Sequence, residues 1–371
     1  MMNSAYKICT RCVMDTTDAE IVFDSNGVCN HCANFEKNIK PNWFPNKDGE
    51  NRLKEIIAQI KRDGKDNEYD SIIGLSGGVD SSYLAYKTVE LGLRPLAVHV
   101  DAGWNTELAV NNIENLVKKL NIDLYTFVVN WEEMQDLQVA YFRASVANLD
   151  VPQDHAFFAA LYNYAIKNKI KYVLSGSNYA TESILPKSWG YSAMDLRNLM
   201  SIHQRFGKKK LRTYPKVNFF QYHLYYPYIK KMCVVRPLNY MPYDREGAIK
   251  ILQEKFNWSN YGDKHHESRF TKLFQSYYLP KKFGYDKRKA HLSSLIVSGL
   301  ISRDEALNEL EKPLYDKEEL RRDRLFVIKK LGLTEQEFDE LIKQPNHSYK
   351  DYPNNEWIFL LKANLQKFKK R

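Results

Sequence analysis

Residues 74–83 read GLSGGVDSSY and follow YDSII, a short apolar run of the kind that forms a buried strand. Gly77 and Gly78 allow a tight turn with bare backbone N–H groups, and Ser76, Ser81 and Ser82 add hydroxyls. A helix beginning here points its partial positive charge at the same spot, which makes a cradle for phosphate. Asp80 is out of place beside anions unless Mg²⁺ accompanies them, because carboxylates hold that ion. The plainer alternative is a glycine-rich turn with a serine cap. The pattern is neither G-x-x-x-x-G-K-[ST], since no lysine follows the glycines, nor G-x-G-x-x-G.

Outward from this loop the chain alternates strand and helix. DSIIGL (70–75), PLAVHVDAG (95–103), DLYTFVVN (123–130) and KYVLSGSN (171–178) read as strands, and VVRPLNYMPY (234–243) supplies a last one. DSSYLAYKTVELG (80–92) reads as a helix with Leu84, Ala85, Thr88 and Leu91 on one face and Gly92 as its stop. Ile113, Leu116, Val117 and Leu120 share a helix face in 111–120. HAFFAALYNYAIKNK (155–169) is a helix for which Asp154 is the cap. The pattern predicts an α/β fold with a doubly wound, mostly parallel sheet, binding its ligands beyond the carboxyl ends of the strands.

Before this domain, KPNWFPNKDGEN (40–51) reads as a linker and LKEIIAQIKRDG (53–64) as a helix. After it the chain is mostly helical: Asp244 caps a helix, SRDE (302–305) and TEQE (334–337) are capping boxes, and NNEWIFLLKANLQKFKK (354–370) is amphipathic. The expected division is 1–45, 46–243 and 244–371, the last a substrate or partner region.

CTRC (9–12) and CNHC (29–32) give the spacing C-x2-C-x16-C-x2-C. Cys9, Cys12, Cys29 and Cys32 suit a four-thiolate Zn²⁺ ribbon. Four thiolates leave no open position, so such a metal is structural. Two disulfides or a redox pair are the alternatives. MMNSAYKICT has no charged segment followed by an apolar one, so a cytoplasmic setting is expected and disulfides are disfavoured. No apolar run approaches the roughly 18 residues of a membrane span. The 371 residues are 44% apolar and carry a net charge of +10, which favours anionic partners without choosing among nucleotides, nucleic acid and acidic membrane.

The loop S-G-G-V-D-S resembles that of the ATP pyrophosphatase (PP-loop) superfamily. The resemblance implies ATP and Mg²⁺ as cofactors, cleavage between the α and β phosphates, and transfer of AMP to a carbonyl oxygen. It implies catalytic roles for Asp80, Ser81 and Glu182, and nucleotide contacts from Ser76, Gly77, Gly78, Asp80, Ser81, Ser82, Asp101, Gly176 and Asn178. Asp101 is also readable as a helix cap, and Glu182 as a solvent-facing acid.

CTRCVMDTT, VHVDAGWN, SGSNYATES, PLNYMPYDREGAI and KHHESRFTKLFQSYYLPKKFGYDKR carry the resemblance further. Together with the loop they resemble the N-acetyl sugar amidotransferases of bacterial surface-polysaccharide synthesis, over residues 9 to about 310. That resemblance implies conversion of a nucleotide-linked acetamido sugar to an acetamidino sugar. Adenylation turns the amide oxygen, a poor leaving group, into part of a good one, and ammonia displaces AMP. Asp154, His155, Lys264, His265, His266, Glu267 and Arg269 are candidate substrate contacts, with a solvated helix start as the alternative for the last five. Cys233 lacks the glycines of a nucleophile elbow, so ammonia is expected from a separate glutaminase and channel subunit, similar to the histidine-biosynthesis pair. No nucleic-acid partner is expected, although a tRNA-modifying enzyme of the same superfamily and a non-catalytic ATP-binding scaffold are the rivals. Residues 205–231 hold eight Lys/Arg and eight aromatics. They are open to three readings: a helical insertion with core tyrosines, peripheral contact with an acidic membrane, or RNA binding.

Overall fold

A computed structural model of the chain describes residues 6–260 and 267–358. Strands β1 (Ser71–Gly74), β2 (Pro95–Asp101), β3 (Leu124–Val128), β4 (Tyr172–Leu174) and β5 (Cys233–Val235) form one parallel sheet in the order β3-β2-β1-β4-β5. The chain winds outward from β1 to β3, then returns to lay β4 beside β1. The switch point therefore lies between β1 and β4, where crevices form in open α/β sheets.

The helices used below are α1 (Lys47–Asp63), α2 (Val79–Glu90), α3 (Glu107–Leu120), α4 (Trp131–Ala144), α5 (Val151–Lys167), α6 (Tyr179–Glu182), α7 (Leu196–Phe206), α8 (Arg245–Phe256), α9 (Arg269–Leu273), α10 (Lys287–Val297), α11 (Arg303–Glu311), α12 (Lys317–Leu331) and α13 (Glu335–Lys343). Successive strand residues face opposite sides of the sheet. Ile73, Ala97 and Leu174 meet Leu53 and Ile57 of α1, Leu84 of α2, Ile113 of α3 and Leu252 of α8. Ile72, Val98 and Val173 belong to the other core, with Leu137 of α4, Ala156 of α5 and Leu199 of α7. The C-terminal helices extend this second core: the Phe270 ring lies tilted against Trp104 at 4.9 Å and 6.2 Å from Phe142 of α4.

Some boundaries differ from expectation. The expected linker already contains the start of α1, because Asn46 accepts a hydrogen bond from Gly49 N–H at 3.1 Å and caps the helix there. Asp154 is not a cap. Helix α5 begins at Val151 with Pro152 in its first turn, where proline needs no N–H partner, and Asp154 lies inside the first turn. Helix α4 was not anticipated. Its signals were Asn130, which accepts from Glu133 N–H, and a narrow polar stripe of Glu132, Asp136 and Arg143 opposite the buried Met134, Leu137 and Tyr141. Asp244 and both capping boxes act as expected. The amphipathic helix expected at the C-terminus lies mostly outside the described residues.

The cysteine-bearing ribbon packs away from the sheet. Its buried Cys9, Cys12, Cys29, Cys32 and Phe35 join Trp189 and, from α10, Ala290 and Val297. Arg303 of α11 donates to the carbonyls of Cys9 and Cys12, and Val13 N–H donates to Ser293 Oγ at 3.2 Å.

Candidate active site

The loop after β1 is shaped by its glycines. Gly77 has φ +82°, and a Cβ there would stand 2.7 Å from the backbone oxygen of Ala109. Gly78 is the extended N-cap residue of α2. Ser76 Oγ lies 3.1 Å from Ser81 Oγ and accepts from Gly78 N–H at 3.1 Å, so the two hydroxyls brace the turn. Ser82 is fully buried, which leaves Ser76, Ser81 and the backbone N–H groups as the loop's accessible donors. Gly77→Ala combines a left-handed conformation with a backbone clash. It is expected to cost at least about 2 kcal/mol and to abolish nucleotide binding, readable by denaturant unfolding and by ATP titration.

Across the switch point, Gly176 lets the loop after β4 approach the first turn of α2. A Cβ there would lie 3.1 Å from the Asp80 carbonyl carbon and 3.2 Å from Ser81 N. Asn178 is buried and caps α6, accepting from Thr181 N–H at 3.0 Å, which makes it a shaping residue of this loop. Glu182 ends α6 with an exposed carboxylate. Tyr243, absent from the sequence reading, donates a short hydrogen bond to Asp80 Oδ1. Burial, then Asp80, hold the Tyr243 hydroxyl far above its ordinary range; Arg245 pulls the other way and Glu182 adds to the rise. Asp80, Glu182, Tyr243 and Arg245 thus gather at one mouth. Two carboxylates above a phosphate cradle are a donor set suited to Mg²⁺.

The end of β2 forms the second wall. Asp101 accepts from Gly103 N–H at 2.7 Å, while Thr106 caps α3, so Asp101 is not that helix's cap. His99, also missed, is buried with Nδ1 2.8 Å from the Leu75 carbonyl at the root of the loop. That contact requires the proton on Nδ1, leaving Nε2 to accept from Asn105 Nδ2 at 3.1 Å. Its only sequence signal was a polar ring inside an apolar strand. The C-terminal region closes over this wall: Thr106 N–H donates to the Glu267 carbonyl at 3.0 Å, and Asn105 bridges Ser268. Lys330 of α12 donates to the Gly103 carbonyl between Trp104 and Trp131, and burial lowers its pKa against the pull of Asp101. Arg269 lies over Phe326 at 4.8 Å, close enough to Lys330 to repel it. Glu267 and Arg269 therefore reach the site region, whereas Lys264, His265 and His266 lie outside the described residues.

His155 does not line the site. It is fully buried, with Nδ1 2.7 Å from the Ala193 carbonyl and Nε2 accepting from Val217 N–H. Burial lowers its pKa and keeps the ring neutral, so it ties α5 to two loops. Asp154 is exposed in the first turn of α5, beside Asp150 and Lys287. Desolvation and then Asp150 push its carboxyl up to about 8, against the pull of Lys287 from α10. A carboxyl held above its unfolded value favours the fold when protonated. Its contribution is complete below the ordinary 3.8 and is lost as pH rises through about 8. Asp154→Asn is therefore expected to match the parent protein in acid and to become the more stable of the two across that window, as read by melting curves on either side.

The cysteines form a separate centre. Their sulfurs lie 3.6 Å (Cys12–Cys29), 3.7 Å (Cys29–Cys32) and 4.0 Å (Cys9–Cys32) apart, and all four ligand atoms fall within 4.8 Å of one another. A disulfide would require about 2 Å. A tetrahedron of sulfurs about 2.3 Å from one ion has edges of about 3.8 Å, so the set fits Zn²⁺. Backbone N–H groups of Arg11, Cys12 and Cys29 point at Cys9 Sγ, as they do at metal thiolates.

Comparison with known proteins divides the chain in two. Residues 52–216 match the NAD synthase family, and residues 267–365 match the C-terminal domain of WbpG-like LPS biosynthesis proteins. An uncharacterized protein of Methanocaldococcus jannaschii is 24% identical over 330 residues, spanning 86% of this chain and 99% of its own. Among solved structures, the NMN synthetase of Francisella tularensis is 18% identical with a TM-score of 0.29, over 60% of this chain and 94% of that one. The NH3-dependent NAD synthetase of Campylobacter jejuni is 16% identical with a TM-score of 0.33, over 80% and 98%. The chain thus carries a segment similar to NAD synthases, 52–216, followed by one similar to the C-terminal domain of WbpG-like LPS biosynthesis proteins, 267–365.

Proposed function

We propose that this PP-loop protein is an ATP-dependent amidotransferase that converts the acetamido group of a nucleotide-linked N-acetyl sugar to an acetamidino group. The observation that carries the reading is the packing of the WbpG-like segment at Glu267–Ser268 against the end of β2, next to a PP-loop crevice bearing Asp80 and Glu182. Two substrates can meet there: ATP over the loop, and a sugar held between the loop and the C-terminal helices.

The chemistry balances with these groups. The amide oxygen of the sugar attacks the α-phosphorus of ATP and pyrophosphate leaves, its charge met by Ser76, Ser81 and the loop N–H groups. Asp80 and Glu182 would hold Mg²⁺, which supplies charge neutralisation on the phosphates. Ammonia then adds to the imidate carbon, AMP departs with the former amide oxygen, and one proton is lost. Tyr243 keeps Asp80 oriented throughout. The cysteine centre holds zinc in a structural role. Ammonia would come from a separate glutaminase through a channel subunit, because Cys233, the cysteine outside that centre, lacks the glycines of a nucleophile elbow.

The test is release of AMP and pyrophosphate from ATP with Mg²⁺ and ammonium at alkaline pH. Nucleotide-linked N-acetylated sugars would be compared with bulk tRNA. AMP formed only with a sugar, with a product lighter by the exchange of O for NH, supports the reading. AMP formed only with tRNA transfers the protein to the RNA-modifying branch of the superfamily.

A further inference from the structure

Residues 205–231 are split by the structure. Tyr214 and Tyr226 are buried, with the Tyr214 hydroxyl donating to the Pro152 carbonyl at 2.7 Å and that of Tyr226 to Asn163 Oδ1 at 2.8 Å. Glu133 of α4 accepts from the backbone N–H groups of Arg212, Thr213 and Tyr214, which fixes the start of the segment. Beyond it, Gln221–Ile229 forms a wide π-helical turn whose outer side chains are exposed among the described residues. Phe220 is 61% exposed, Leu224 44%, Tyr228 66% and Ile229 67%. Lys230 and Lys231 follow directly, both exposed, and Lys230 lies along the Tyr225 ring at 5.5 Å. A cavity of about 300 Å³ opens beside them, lined by Tyr162, Tyr222, Tyr226, Pro227, Met232 and Val234.

We propose that this surface, Phe220, Leu224, Tyr228 and Ile229 bordered by Lys230 and Lys231, seats the protein on an acidic lipid bilayer. Charge chooses the occupant. Residues 205–231 contain eight Lys/Arg and no Asp or Glu, and the acids that contact the segment from α4 are engaged: Glu132 by Lys209, Glu133 by the Arg212, Thr213 and Tyr214 N–H groups, and Asp136 by the Lys208 and Lys209 N–H groups. A second copy docked on the same patch would bring like charges together, whereas an anionic leaflet meets them with opposite charge. Phenylalanine, isoleucine and leucine enter the acyl boundary, tyrosines sit at headgroup level and lysines extend to the phosphates. Among the described residues no helix is long and apolar enough to cross a membrane, so attachment is to the surface. The inference does not depend on the reaction proposed above.

The test is flotation of the whole protein with phosphatidylcholine vesicles, with and without phosphatidylglycerol. Binding is expected only with the anionic lipid and is expected to fade as salt rises. Lys230→Glu/Lys231→Glu should weaken it by at least about thirtyfold, at roughly fivefold per basic side chain removed. Phe220→Ser/Ile229→Ser should weaken it further without lowering the melting temperature or AMP formation from soluble substrate. Failure of the parent protein to float on anionic vesicles overturns the proposal. So does a concentration-dependent dimer that the same substitutions abolish, because it would assign the patch to a second copy.

Discussion

Asp80→Asn is expected to lower pyrophosphate release by at least about a hundredfold while leaving the protein folded. The amide keeps an oxygen for Tyr243 and nearly the same shape, so the first turn of α2 retains its contacts. What is lost is the negative charge at the mouth of the phosphate cradle. Removing one preorganised electrostatic group from such a site costs about 10²–10³ in rate. Single-turnover assays with saturating ATP, alongside a melting curve, separate the two effects. Unchanged turnover would favour a scaffold that only binds ATP. Tyr243→Phe provides the companion measurement: it leaves the carboxylate in place but frees its orientation, so its rate loss should be smaller and in the same direction.

Stripping the metal from the cysteine centre is expected to produce the largest fall in stability. Structural zinc contributes about 10–16 kcal/mol to the folding of isolated fingers. Here part of that is retained by the contacts of the ribbon with Trp189 and α10. A loss of several kcal/mol remains, which for a chain of this size lowers the melting temperature by on the order of 10 °C. Cys12→Ser should reproduce the effect of a strong chelator, and added Zn²⁺ should reverse the latter alone. Turnover per folded molecule should stay constant, since the ribbon packs on Ile184, Trp189, α10 and α11 and not on the phosphate loop. Equal melting curves with and without chelator would remove the structural role.

The sheet was legible because its signals are local. A β1 strand followed by a Ser-Gly-Gly loop, then a helix with a clear apolar face and a stop at Gly92, announces the strand–helix alternation of a parallel sheet. The cysteine spacing was equally direct. What stayed hidden depended on contacts between distant segments. Tyr243 matters because it reaches Asp80 across 163 positions, and nothing in the residues near it announces that. His155 read as a substrate contact because it stands beside Asp154 in sequence, yet neighbouring residues on a helix point in different directions, and this one points into the core. Helix α4 escaped because the buried polar residues Glu133 and Gln138 flank its apolar face and blur the amphipathic rhythm by which helices are recognised.

The seam between the ribbon and α10–α11 joins parts of the chain separated by 280 positions at Val13 and Ser293. During synthesis the ribbon emerges well before the surface that covers Val13 and Met14, which is drawn from 184–189 and from α10 and α11. Loading of the four thiolates can precede the rest of folding, whereas docking must wait for most of the polypeptide to leave the ribosome. A nascent chain halted before α10 would carry a metallated but uncovered ribbon, a natural target for holdase chaperones. Completion of α10 and α11 would then act as a late quality checkpoint.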